Sequence, residues 1–155
     1  MAAFVSTKIE GMDRLTRKLR LLPAAIQNDI ETAQKINALD LQNTARRLIL
    51  SGSKSGRIYK RRNKSGGITL HQASAPGESP ASDFGTLVSS VRGFVEKRFT
   101  AALEAATAYA AALEFGSRKR HILPRPFMNR ALDIVSGRAK ERLIAALRGT
   151  LRRKR

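Results

Sequence analysis

The 155-residue chain is strongly basic: thirty Lys and Arg against twelve Asp and Glu give a formal charge of +18. It has no Cys, which excludes disulfides, thiolate metal sites and cysteine nucleophiles. Hydrophobic residues at 42% are enough for a single domain over residues 1–155, and with aromatics at 5% its core must rest on Ala, Leu, Ile and Val.

Ala3 to Ile9 alternates as a short edge strand that Gly11 ends. Asp13 is placed to cap a short helix through Leu22, with Leu15, Leu19 and Leu22 on one face. Pro23 suits the first turn of the next helix. From Ala24 to about Leu50, Ile26, Ile30, Ala33, Leu41, Ala45 and Leu48 recur at helical spacing, interrupted by Asn37 on the same stripe. A helix of that length spans roughly 40 Å.

Residues 51–85 change character. SGSKSGRIYKRRNKSGG reads as a basic flexible loop or a weak hairpin, and ITLHQ after it as a short returning strand. SAPGESPASDFG packs two Pro and two Gly into an extended connection without regular structure. Leu87 to Val95 alternates loosely and pairs with Phe99–Ala106 across Lys97 and Arg98 as a hairpin, although the Ala-rich second half fits a helix equally well. Ala108 to Phe115 favours a helix stopped by Gly116, and a basic turn, 117–125, follows. A last helix carries Leu132, Val135, Ala139, Leu143, Ala146 and Thr150 on one stripe. The expected fold is α+β: a small antiparallel sheet packed with a long helix in the N-terminal half and a C-terminal helix, with extended loops.

The basic surplus is confined to three segments. Residues 46–64 hold Arg46, Arg47, Lys54, Arg57, Lys60, Arg61, Arg62 and Lys64 and no acid. Arg118, Lys119, Arg120, Arg125 and Arg130 form the second cluster, and Arg148, Arg152, Arg153, Lys154 and Arg155 the third. Clustering of this kind points to contact with DNA or an acidic protein face; the plainer alternative is solvated loops and a frayed tail.

Chemistry finds little support. His71 and His121 lie in different basic segments without a helical His or carboxylate partner, and no G-x-S-x-G turn is present. Asp83, Glu78 and Glu96 have no spacing that argues for a shared site. The expectation is a protein that is not an enzyme and uses no cofactor or metal. The first residues, MAAFVSTKIEG, lack the features of a signal peptide, and no apolar run approaches the ~18 residues of a membrane span. A soluble protein of the cytosol is expected.

Four fragments in this order, Ser74-Ala75-Pro76-Gly77, Gly85-Thr86-Leu87, YAAALEFGS (109–117) and RPFMNRAL (125–132), resemble the tail-completion, or head–tail joining, family of long-tailed bacteriophages. The pairing of a "YA…EFG" segment with an "RPF…AL" segment is the most specific part. Phe84 stands where such proteins often carry Thr, and residues 51–64 and those after Arg148 lie outside the motifs. The resemblance implies an α+β subunit of a ring, six-fold in expectation, at the neck of the virion. It would lie between head connector and tail tube or tail terminator, let DNA pass, and be assembled in host cytoplasm. The alternative is a basic nucleic-acid-binding protein, nucleoid- or ribosome-associated; against it, the basic loop has only Tyr59 as a stacking aromatic.

Within these motifs Tyr109, Leu113 and Phe115 are expected to pack inward, because aromatic residues are scarce here. Glu114 is expected to pair with Arg118, Arg120 or a neighbouring subunit, or to be simply solvated. Gly116 ends its helix, Pro124 and Pro126 set the chain direction, and Phe127 with Met128 anchors the last helix, chiefly within the subunit's own core.

Overall fold

The computed structural model describes residues 5–6, 17, 20, 22–62 and 65–153, and the side chains of 5, 6 and 150–153 fall outside that description. The expected helix from Asp13 lies largely outside the described residues, as does most of the first strand. Strand β1, Val5–Ser6, is on the sheet edge where the sequence placed it.

Helix α1, Ala24–Ser51, runs unbroken for 28 residues, about 42 Å. Strands β2, Ile58–Arg62, and β3, Ile68–Gln72, form a separate antiparallel hairpin, which resolves the loop-or-hairpin alternative. Helix α2, Thr86–Ser90, takes Leu87 out of the expected strand, so β4 begins at Val91 and runs to Lys97. Strand β5, Thr100–Ala105, makes the Ala-rich segment a strand. Helix α3 is Ala110–Phe115, and helix α4 is Met128–Arg153. The fold is α+β.

The main sheet has the order β1-β5-β4, all antiparallel, with a register shift between Val95 and Lys97. The turn between β4 and β5 places Phe99 at φ +76° while burying its ring against Ile26 and Ile30. A bulky residue rarely adopts that backbone, at a strain of about 1–3 kcal/mol. Burial of the ring, worth about 1.5–3 kcal/mol, offsets it.

Helix α1 crosses the sheet at Gly93, where a Cβ would stand 1.9 Å from the carbonyl oxygen of Ala38. Only glycine fits that approach. The free edge of β4 is answered by side chains of the same helix. The Gly93 N–H donates to Gln42 Oε1 (3.0 Å), and Arg46 Nη2 donates to the Val91 carbonyl (2.8 Å). Two polar groups on that strand edge are thereby satisfied within the chain.

Helices α1 and α4 pack antiparallel. The core on one side joins Leu41, Ala45 and Ile49 to Phe127, Ala131 and Val135, and Leu143 and Leu147 pack near Ile26 and Ile30. Asn37, which interrupts the apolar stripe, is buried with every polar atom in use. It donates to Gln34 Oε1 (3.1 Å) and accepts from Arg142 Nη1 (3.0 Å), while Gln34 Nε2 donates to the Phe99 carbonyl (2.7 Å). Arg138 and Arg142 both reach Asp40, at 3.2 and 2.7 Å. One polar chain thus ties α4, α1 and the β4–β5 turn together, as buried polar groups require.

Candidate functional site

Helix α4 begins without a capping side chain of its own, since Phe127 stands just before Met128. The first N–H groups of a helix have no partner within it. Glu114 supplies one from α3. Its Oε2 accepts from the N–H groups of Phe127 (2.8 Å) and Met128 (3.0 Å), and its Oε1 from that of Asn129 (2.9 Å). The carboxylate is 3% exposed and sits where the helix dipole favours a negative charge.

This corrects the expectation for Glu114: it pairs with neither Arg118 nor Arg120, and it is not solvated. The expectation for Tyr109 and Phe115 is corrected with it. A six-residue helix has one inward face, here Ala110 and Glu114 with Leu113 packed beside them, so Tyr109 (40% exposed) and Phe115 (61%) turn outward. Phe127 and Met128 are buried as expected.

The surrounding connection is drawn onto the same junction. The Gly77 N–H donates to the Pro124 carbonyl (2.9 Å), and Arg130 Nη2 returns a bond to the Gly77 carbonyl. Arg125 donates through its N–H to Leu113 O (2.6 Å) and through Nε to Ser74 O (3.2 Å). Ser79 Oγ donates to the Pro126 carbonyl (3.2 Å). Gly116, at φ +78°, starts an excursion closed by reciprocal bonds between Ser117 and Ile122 (2.8 and 3.0 Å). Arg118, Lys119 and Arg120 form a single exposed 3₁₀ turn at its tip, beside Phe115 and Leu123.

Above this junction the β2–β3 hairpin and residues 80–87 enclose a cleft of about 450 Å³. Alternation along the hairpin turns Arg61 and His71 toward it. Arg61 Nη2 is paired with Asp83, whose other oxygen lies 3.6 Å from His71 Nδ1. The Arg61 guanidinium is 4.5 Å from the centre of the Phe84 ring, and Arg57 stands 5.7 Å over Tyr59. Arg61 Nη1 is buried with no hydrogen-bond partner.

Of the cations singled out in the sequence, Arg61 lines the cleft against Phe84, while Arg57 lies over Tyr59 outside the lining. Lys60 and Arg62 fall on the opposite face of the hairpin, beside exposed Ile58, Ile68 and Leu70. Arg118–Arg120 have separate surroundings. Arg152 and Arg153 end helix α4 with their side chains outside the description, and Lys64, Lys154 and Arg155 are outside the described residues. Phe84, Asp83 and Arg125 were missed as a group because they meet only through the fold.

Among the described residues no cluster of His, Asp or Glu could hold a metal ion, and no helix is long and apolar enough to cross a membrane. No protein-family model matches the chain, and neither the curated proteins nor the solved structures contain a match to it.

Proposed function

We propose that this chain is a structural protein of a tailed-bacteriophage particle, a subunit of a closed ring at the head–tail neck, with no enzymatic role. One observation carries the reading. The four fragments that resemble head–tail joining proteins are spread over residues 74–132, yet each contributes to the walls of one cleft: Ser74, Gly85 to Leu87, Tyr109 with Leu113, and Arg125. Exposed Phe115, Leu123, Ile58 and Leu70 add apolar surface of the kind that subunit contacts cover.

The ring is held by heterologous contacts, because its two faces meet different partners, head connector and tail. The test is a phage lacking this chain. Heads and tails that accumulate unjoined, and that join when purified protein is added, support the reading. Fully infectious particles without the chain, or a particle map placing it away from the head–tail axis, overturn it.

A further inference from the structure

We propose that the cleft between the β2–β3 hairpin and the body of the subunit binds single-stranded nucleic acid, taking a base against its rings and a phosphate against Arg61. The inference goes beyond the neck reading and does not rest on it.

The chain has two Tyr, six Phe and no Trp. Both tyrosines and Phe84 line this one cleft, together with Arg61, His71 and Arg125. The core makes no use of these rings: Phe99 and Phe127 are fully buried, whereas Phe84 is 82% exposed. The Arg61 guanidinium already lies against Phe84 within the wall, and Arg57, outside the lining, lies over Tyr59. Bases stack on such surfaces without regard to sequence.

The anion-binding half of the site is equally specific. Asp83 occupies Nη2 of Arg61, while Nη1 is buried and unanswered by protein. The side chain as a whole is 38% exposed, and a phosphate oxygen meets its open part in a charge-assisted bond.

Two other polyanions fit less well. An acidic peptide would answer the guanidinium but leave Phe84 and Tyr109 uncovered. Duplex DNA keeps its bases stacked internally, out of reach of the rings. A nucleotide brings a flat face and a phosphate together, and a cleft of about 450 Å³ is of small-ligand size.

The experiment uses the full-length protein and fluorescence anisotropy over a salt series, with four probes: dT12, an abasic 12-mer, a 12-base-pair duplex and polyglutamate. Phe84→Ala is expected to weaken dT12 binding about tenfold and leave duplex binding unchanged. The abasic strand should bind about tenfold more weakly than dT12 and be indifferent to Phe84→Ala. Arg61→Gln should lower the slope of log affinity against log salt by about 0.7. Phe84 is largely exposed, so its variant should keep the wild-type thermal midpoint, which is measured alongside. Equal binding of dT12 and the abasic strand, or dT12 affinity untouched by Phe84→Ala, overturns the proposal. Polyglutamate bound as tightly as dT12, with the same dependence on Phe84, would make the cleft a site for acidic peptides and overturn it equally.

Discussion

The α1–α4 pair and the β2–β3 hairpin use the same residue types to opposite ends. Between the helices, arginines are consumed by the fold: Arg138 and Arg142 answer Asp40, and Arg142 also holds Asn37. On the hairpin, Ile58, Ile68 and Leu70 face solvent, and Arg61 keeps one nitrogen without a partner. A lone two-stranded hairpin is marginal by itself, so this one depends on its root and on Asp83. Net charge alone therefore says little about function here.

The comparison can be broken at its strong side first. Phe127→Ala removes a fully buried ring at the start of α4 and should cost about 3–5 kcal/mol, read as a loss in urea or thermal midpoint. Under the proposed neck role, a phage carrying this variant would fail to join heads to tails through lost fold. A variant that melts normally yet blocks joining would place the ring at an interface.

Glu114→Ala should cost about 3 kcal/mol, because three N–H groups at a buried helix start lose their acceptor together. Equilibrium unfolding checks it, and an unchanged midpoint would mean that the first turn of α4 finds another cap. Gly93→Ala should be next, at about 1–3 kcal/mol. The added methyl meets the backbone of Ala38, which can yield only if α1 lifts from the sheet.

The smallest effect belongs to the hairpin root. Glu78 accepts from the Ser55 hydroxyl (2.6 Å) and from the N–H groups of Ala75 (2.7 Å) and Ser55 (3.1 Å). The Ser55 hydroxyl above all, then the two N–H groups, hold its carboxyl below the ordinary glutamate range, with Arg130 adding to the effect. A depressed pKa means stability that is present at neutral pH and lost as pH falls through the folded value. Amide exchange at Gly56 and Ala73 should therefore speed up below the usual carboxylate range before the helices respond, and Glu78→Gln should remove that acid-dependent step.

The two helices were legible because a period of 3.6 over more than twenty residues leaves few alternatives, and even Asn37 marked a real event on the stripe. The hairpin was half legible: ITLHQ read as a strand, but a run of Lys and Arg carries little apolar signal for its partner. The start of β4 was lost because Leu87 and Val91 fit helix and strand periods alike. At the candidate site the sequence singled out Glu114 and Phe127 but misjudged the first. A cap supplied from thirteen residues upstream has no local signature, unlike a Ser or Asp beside the helix it serves. The outward turn of Tyr109 and Phe115 follows from that same inward carboxylate, so a single hidden bond set misdirected three residues.

The reciprocal Ser117–Ile122 bonds have an engineering consequence. They pinch residues 118–121 off from the junction, so the tip is a removable cartridge on a fixed socket. Length and charge can vary there while Glu114 still meets Phe127, since neither lies within the loop. What the tip touches can thus change by swapping four residues, with the frame that carries them left as it is.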